Sequence, residues 1–469
     1  MKNIHSNLAI VVSFLIFFVG SFAYMFGLPG LSSDDFMRVY LAARWAQSPV
    51  LVQFGNWPPG FSVFYGFGMK SGMDPLTAAH LLTAAICGVT AYMLYRVILH
   101  VGESKNAALF GITLFLLTPL HAMLSVSTLS EPLFVCVALL TGASLFSWVR
   151  TDRSVFLWAT VVSCILLTTV RTEGTPSAGL LALFILYRKR NVFGVLASLS
   201  CIAFPMIWLK IIEQRIGPLS ELLAAYRLDS QTFYQHVHHW NAIPYIAFAV
   251  HYPVVLLAIG WSFIFRKSIA RETRILGAIF GLVLVSQWIL LWDRVSTVYP
   301  ERLAYYPGVL GIVFATMVYR DTALKRKFLF SGVLVLIVSL FFSLPRLTPT
   351  YSASLVSLGR TFSTLPAFTD GLRKAYAAAE MDQGDFATLA VNTKLPQRFV
   401  RMQWSPEQNR LLINDAATPA FFFLRTEAAT AWLQSQMPRS THVRLGEIYF
   451  VTNDVLVMQQ VCAAMTCSE

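Results

Sequence analysis

The chain has 469 residues, of which 56% are apolar and only 13% are charged, and its net charge is +12. Soluble globular proteins carry roughly 25% charged residues, so this composition excludes an ordinary soluble enzyme. The basic residues cluster between apolar blocks and do not follow one face, which argues against nucleic acid as a partner. Blocks long enough to cross about 30 Å of hydrocarbon as helices instead predict a polytopic membrane protein.

The apolar blocks predict about eleven membrane-spanning helices, so the main module is expected to be all-α. In chain order the blocks lie near 8–28, 76–99, 107–120, 131–149, 155–170, 174–187, 192–212, 244–265, 274–292, 303–319 and 328–344. The first block ends in Ser21-Phe22-Ala23, which resembles a signal-peptide cleavage site, but the length of the block favours a retained span.

Basic residues predict the orientation of these spans. The loops on one membrane face include residues 188–190 and 325–327, and they are denser in Lys and Arg than the loops on the other face. Because cytoplasmic loops collect Lys and Arg, the N-terminus is predicted to be cytoplasmic and the C-terminus extracytoplasmic. Most acids before residue 345 then face outward, where they indicate either an aqueous site or simply solvated loops.

Beyond the last span, residues 345–469 have a mixed pattern that predicts a small extracytoplasmic α/β domain. The predicted organisation is a transmembrane module over 1–344, with a first outward loop at 29–75, followed by this domain over 345–469. Cys462 and Cys467 form either a structural disulfide, which an oxidising compartment would permit, or free thiols. Strands are predicted at 386–391, 410–414, 419–424 and 447–457, and helices at 366–381 and 427–437.

The first outward loop carries the most informative pattern. Ser33 is followed by Asp34 and Asp35, which is typical of a helix start, and the next residues alternate apolar and basic at helical spacing. A carboxylate at the lipid–water boundary can accept a proton from a substrate hydroxyl. The alternative is a structural salt bridge, since Asp34 and Arg38 lie at i and i+4. The Gly/Pro-rich segment 55–69 is predicted to form a re-entrant or interfacial turn.

Three further outward corners place charged side chains beside apolar blocks. Arginine binds phosphate with a planar fork, and a lipid phosphate lies at this depth. Pairing with a neighbouring glutamate is the alternative for Arg171 and Arg302. The residues concerned are His121 and Glu131, then Arg171 and Glu173, and finally Arg294, Glu301, Arg302 and Tyr305. The histidines at 236, 238 and 239 are only a weak metal signature, because no cysteine or second carboxylate motif accompanies them.

The order of these motifs resembles the C-type (GT-C) integral-membrane glycosyltransferases over nearly all of residues 1–345. The motifs are Asp34-Asp35, Ala42-Ala43-Arg44, Pro58-Pro59, Leu117-Thr118-Pro119-Leu120-His121, Ser130-Glu131-Pro132-Leu133, Arg171-Thr172-Glu173-Gly174 and the stretch 302–307. The chain looks most similar to the protein O-mannosyltransferase and aminoarabinose transferase branch and to bacterial polyprenyl-phosphomannose-dependent mannosyltransferases. It departs from the first branch at Asn56 and Trp57, where that branch often has a charged residue that helps hold the donor phosphate.

The resemblance implies inverting transfer of a sugar from a polyprenyl-phosphate donor to a hydroxyl of a lipid, glycan or protein acceptor. The reaction would take place at the extracytoplasmic face, with a bacterial plasma membrane as the favoured location. Asp35 would be the general base, and Asp34 would orient the acceptor or hold Arg38. No cofactor is required because the leaving group is already a phosphate, and a divalent cation is the alternative. The candidates for binding the donor phosphate and the sugar are Arg38, Arg171, Arg294, Arg302, Glu131, Glu173, Tyr305 and His121. The two glutamates would position either the sugar hydroxyls or the arginines.

Other classes of membrane protein share some of these features. A transporter or flippase for a lipid-linked sugar would need many spans, but its site is expected near the midplane between internal repeats. An O-antigen ligase or polymerase would use the same kind of donor and place its key residues in one late outward loop, for which 213–243 is the candidate. If the protein were instead a structural membrane scaffold, Asp35 could be replaced without any loss of activity.

Overall fold

The computed structural model describes the chain in segments. They are 38–39, 41–42, 45–46, 57–71, 75–125, 127–216, 243–292, 304–347, 377–379, 402–405, 410–413, 420–424, 427–436, 439–445, 448–452 and 455–464, with the single residues 15, 49, 73, 218 and 220. The chain divides into two compact units. One groups Met1–Met25 with Arg38–Thr348, and the other groups Phe26–Met37 with Pro349–Glu469.

The described part of the first unit is helical. Residues 38, 39, 41, 42, 45 and 46 are helical, which agrees with the helix predicted after Asp35. The helices that follow are α1 Gly60–Met69, α2 Pro75–Gly102, α3 Lys105–Leu116, α4 Pro119–Ser125, α5 Ser130–Thr151, α6 Ser154–Val170, α7 Gly174–Arg188, α8 Val192–Ile216, α9 Ile243–His251, α10 Pro253–Ile264, α11 Arg271–Trp292, α12 Tyr305–Asp321 and α13 Lys325–Leu347.

Three of the described helical segments are long and apolar enough to cross a membrane, so the chain is a membrane protein. They are Ala78–Gly102, Ser130–Thr151 and Val192–Gln214. Helices occupy every predicted apolar block after the first, which lies outside the described residues except for Leu15. The count of eleven spans stays a prediction.

Prolines divide two of the predicted blocks into pairs of helices. The block at 107–120 is interrupted after Leu116, and Pro119 begins the next helix. The block at 244–265 is interrupted at Tyr252, and Pro253 begins α10. Proline has no backbone N–H and disfavours a helical residue before it, so it starts helices more readily than it continues them. The segment predicted as an interfacial turn likewise contains a helix, α1, which follows Pro58-Pro59.

The helices pack through two groups of buried side chains. The larger group joins α1 to α6 with the helices from α9 onward, and its largest fully buried members include Tyr65, Phe115 and Tyr305. The smaller group surrounds Trp148 and joins α5 to α8. Other apolar side chains on α7 and α8, such as Leu183 and Phe193, are largely exposed. Such exposure is unfavourable in water but suits a surface in contact with lipid.

The described part of the second unit contains strands and helices. They are β1 Ala377–Ala379, β2 Met402–Ser405, β3 Arg410–Ile413, β4 Ala420–Leu424, α14 Glu427–Gln436, β5 Thr441–Leu445, β6 Ile448–Thr452 and α15 Val455–Ala464. Four of the strands form a sheet in the order β1-β4-β6-β5, in which β1 is parallel to β4 and the other pairs are antiparallel. A separate antiparallel pair joins β2 and β3.

Two local predictions in this unit are wrong. The helix predicted over 366–381 is wrong at Ala377–Ala379, which pair with Ala420–Phe422 as β1, because the sheet overrides the helix propensity of alanine. The rest of that predicted helix lies outside the described residues. The strand predicted over 447–457 ends at Thr452, and residues 455–457 belong to α15. Cys462 is a free thiol in the structure, and its predicted disulfide partner Cys467 lies outside the described residues.

Candidate functional site

Arg171 lies in the tight turn between two antiparallel helices. It follows the last residue of α6, and Glu173 precedes the first residue of α7. The turn is closed by backbone hydrogen bonds, in which the N–H of Gly174 donates to the carbonyl of Arg171 and that of Thr175 donates to Thr172. Both charged side chains are therefore fixed where two helices end, next to the start of α5.

The side chain of Arg171 is held between two carboxylates. Its Nη1 lies 2.6 Å from Oε1 of Glu131 and donates a 3.0 Å hydrogen bond to Oγ of Ser130. Its Nε and Nη2 donate to both carboxylate oxygens of Glu173, at 3.2 and 2.5 Å. The side chains of Arg171, Glu131 and Glu173 are 12%, 6% and 28% exposed, respectively. We refer to Ser130, Glu131, Arg171 and Glu173 as the Arg171 cluster. Glu173 is the more accessible of its two carboxylates.

The charges within the cluster stabilise one another. Burial alone would lower the pKa of Arg171, but the carboxylates of Glu131 and Glu173 outweigh it and raise that pKa above its ordinary value. Burial alone would raise the pKa of Glu173, but the charge and hydrogen bonds of Arg171 outweigh it and lower that pKa. Arg171 is therefore cationic and Glu173 anionic at neutral pH.

A second arginine lies against aromatic rings. The guanidinium carbon of Arg38 is 4.2 Å from the ring centroid of Trp57 and 5.4 Å from that of Phe61, and the side chain is buried. These distances are in the range of cation–π contacts. Phe61 follows Gly60, where a Cβ atom would lie only 2.5 to 2.7 Å from atoms of Thr169. The helix α1 thus contacts the end of α6 just before Arg171, and only glycine permits this approach.

A buried hydrogen bond joins His121 to the first residue of α12. Nδ1 of His121 lies 2.9 Å from the hydroxyl oxygen of Tyr305, and both side chains are almost completely buried. Nε2 of His121 has no hydrogen-bond partner among the described residues. The next residue, Tyr306, packs against Phe134 of α5 with 5.2 Å between ring centroids. The start of α12 therefore lies beside the helix that carries Glu131.

Ten residues are predicted for the site, and the structure places five of them in two groups whose members contact one another. Arg38 lies against α1, which contacts the end of α6. Glu131, Arg171 and Glu173 form one group, and His121 and Tyr305 form the other. Sequence reasoning did not assign roles to Ser130 or Trp57, although each adjoins a residue or motif that it singled out. The remaining predicted residues lie outside the described residues: Asp34, Asp35, Arg294 and Arg302.

The described residues contain no group of three or more His, Cys, Asp or Glu side chains that could hold a metal ion. The weak metal signature at 236, 238 and 239 lies outside them. The Arg171 cluster is itself unsuited to a cation at its centre, because the guanidinium already occupies the space between its carboxylates.

Comparison with models of known protein families matches none of them to this chain, and comparison with curated proteins finds no similar sequence.

Proposed function

We propose that the protein is an inverting glycosyltransferase that moves a sugar from a polyprenyl-phosphate donor to an acceptor hydroxyl. The observation that carries the proposal is the Arg171 cluster, in which an arginine and two acids are fixed at the ends of three helices with one carboxylate still accessible. Ionisable groups at such a boundary are costly unless they serve a site or are paired. The sequence resemblance to the GT-C glycosyltransferases supplies the reaction.

In the proposed reaction, the carboxylate of Asp35 accepts the proton of the acceptor hydroxyl. The hydroxyl oxygen attacks the anomeric carbon from the face opposite the phosphate, and the bond between that carbon and the phosphate oxygen breaks. The electron pair of the broken bond stays on the phosphate, which leaves as polyprenyl phosphate. Cationic side chains would stabilise the charge on this leaving group, a role that a divalent cation would fill in the alternative.

The contacts of Arg171 suggest a different role from direct phosphate binding. Because all three of its guanidinium nitrogens contact the two carboxylates or the Ser130 hydroxyl, we assign it as a positioning residue that holds Glu131 and Glu173. The accessible carboxylate of Glu173 would accept hydrogen bonds from sugar hydroxyls. Arg38, stacked on Trp57, is the described candidate for the donor phosphate. Arg294 and Arg302 remain further candidates from the sequence.

We assign His121 and Tyr305 to substrate positioning. A buried imidazole nitrogen without a hydrogen-bond partner lowers stability by about 1 to 3 kcal/mol, so a ligand hydroxyl that supplied the partner would bind favourably there. The proposal also includes the orientation predicted from the basic loops, with the cluster at the extracytoplasmic face of a bacterial plasma membrane.

The test is sugar transfer by the purified protein in lipid, using a panel of labelled polyprenyl-phosphate sugars. We expect one donor to release polyprenyl phosphate, and expect Asp35→Asn to abolish this release while donor binding persists. A matched control is Asp152→Asn, because Asp152 is an exposed acid in a left-handed backbone conformation that asparagine also adopts. Undiminished turnover in Asp35→Asn would refute Asp35 as the base, and transbilayer movement of intact donor would favour a transporter.

A further inference from the structure

Lys70 and the aromatic rings of Trp45 and Phe67 lie together where α1 ends. Lys70 and Phe67 are exposed, whereas Trp45 is buried. Nζ of Lys70 lies 5.1 Å from the ring centroid of Trp45 and 5.5 Å from that of Phe67, and the two ring centroids are 4.9 Å apart. Lys70 is exposed, and it forms no ion pair with a carboxylate in the described part of the chain. We call these three residues the Lys70 patch.

The position of the patch in the chain places it near a membrane boundary. Lys70 lies shortly before Ala78, where the candidate span Ala78–Gly102 begins. The rings of Phe64 and Phe67, on the adjoining helix α1, are 43% and 62% exposed. Exposed aromatic rings beside a lysine are typical of the region where headgroups meet acyl chains, because the rings contact lipid while the ammonium reaches the polar layer.

We propose that the Lys70 patch binds the phosphate of an anionic glycerophospholipid. The ammonium of Lys70 would pair with the phosphate, and the exposed ring of Phe67 would pack against the glycerol and the first acyl carbons. The buried ring of Trp45 would hold the ammonium in position from beneath. Lysine binds phosphate as a flexible point charge, which suits a lipid that exchanges with the bilayer. Each basic residue near an anionic surface contributes about 1 kcal/mol, so removing Lys70 should weaken binding about fivefold.

The patch differs from the second cation–aromatic group on the same helix. Arg38 is buried against Trp57 and Phe61, next to the turn that carries Arg171. Lys70 is exposed, near the other end of α1. A buried, stacked guanidinium suits one ligand in one pose, whereas an exposed ammonium suits a mobile lipid. Binding at the Lys70 patch is therefore independent of the proposed sugar transfer.

The experiment is photo-crosslinking of the full chain in nanodiscs. Phe67 is replaced by p-benzoylphenylalanine, and the discs contain phosphatidylcholine with a fixed share of phosphatidylglycerol, with polyprenyl phosphate added in a separate arm. Mass spectrometry identifies the captured lipid. We expect phosphatidylglycerol adducts to exceed their share of the bilayer, and expect this enrichment to fall about fivefold in Lys70→Gln and to persist in Lys70→Arg.

The control is the same photolabel at Phe330, whose side chain is 74% exposed on α13. Adduct composition at that position should not respond to Lys70→Gln. Adducts at Phe67 that match the bilayer composition and ignore Lys70→Gln would overturn the proposal. Preferential capture of polyprenyl phosphate would also overturn it, and would assign the patch to the donor instead. Neither result depends on whether the protein transfers sugar.

Discussion

Arg171 and Arg320 both pair with acidic side chains, but their surroundings differ. Among the described residues, the guanidinium of Arg171 pairs with the side chains of Ser130, Glu131 and Glu173. Arg320 donates to Oδ1 of Asp321 at 2.7 Å and to the carbonyl of Gly102, and so joins the end of α12 to the end of α2. We call Arg320, Asp321, Gly102, Thr273 and Ala270 the Arg320 cluster.

The two clusters differ in which groups donate hydrogen bonds to the carboxylates of Asp321 and Glu173. Oδ2 of Asp321 accepts hydrogen bonds from the Thr273 hydroxyl at 2.6 Å and the Ala270 N–H at 3.0 Å, so this acid fastens helix ends to one another. Its side chain is only 7% exposed. Glu173 receives its bonds mainly from Arg171 and keeps an exposed edge. The Arg320 cluster therefore ties helix ends together, whereas the accessible carboxylate of the Arg171 cluster is compatible with the proposed contact to a sugar.

The largest effect should come from removing each arginine. Arg171→Met leaves two neighbouring carboxylates without their shared cation, which should cost about 3 to 5 kcal/mol and abolish transfer. Arg320→Met should cost less, about 1.5 to 3 kcal/mol, because Asp321 keeps its bonds from Thr273 and Ala270. Thermal unfolding of both variants in the same detergent measures the difference. Equal losses would remove the distinction between the clusters.

Replacing Glu173 and Asp321 in turn should separate an effect on activity from an effect on stability. Glu173→Gln keeps the size of the side chain and should lower transfer by about tenfold to a hundredfold, as for the loss of a charged contact worth 1.4 to 2.7 kcal/mol. Asp321→Asn should lower the melting temperature while the folded protein keeps its rate. Steady-state kinetics with the preferred donor, corrected for the folded fraction, test both variants. Normal kinetics in Glu173→Gln would show that this acid only pairs with Arg171.

The contact between α1 and α6 can be broken without touching a charge. Gly60→Ala would place a methyl group against the backbone of Thr169 and should cost about 1 to 3 kcal/mol. Gly142→Ala is the matched control, because a Cβ atom there meets nothing within 4 Å. In that helix interior alanine should stabilise, by up to about 1 kcal/mol. Melting temperatures that shift in the same direction for both variants would contradict the close approach.

A smaller effect is expected from pH. Because Arg171 lowers the pKa of Glu173 in the folded protein, the pair contributes stability above the unfolded value of about 4.3. That contribution should be lost as the pH falls from there through the folded pKa. Melting temperature measured from pH 7 downward should therefore decline less steeply at the acid end in Glu173→Gln than in the unmodified chain. If the melting temperatures of the two proteins declined identically at acid pH, the ion pair between Arg171 and Glu173 would not be formed.

The sequence predicts the helices well because apolar blocks and their charged borders are local features. It also anticipates the pairing of Arg171 with Glu173, which are two residues apart. The resemblance implies that Glu131 positions either sugar hydroxyls or an arginine, but its contact with Arg171 in particular depends on how α5 packs beside α6. The stacking of Arg38 on Trp57 was not predicted, because only the packing of α1 brings these residues together. The strand Ala377–Ala379 was missed because its pairing partner is distant in sequence.

The most direct test of the account is release of polyprenyl phosphate from a labelled donor by the protein in lipid vesicles, comparing Glu173→Gln with Asp321→Asn. We expect release by the unmodified chain, retention of the folded protein's rate in Asp321→Asn, and a loss of about tenfold or more in Glu173→Gln. No release from any donor, or equal losses in both variants, would contradict the claim that the Arg171 cluster is a site for sugar transfer.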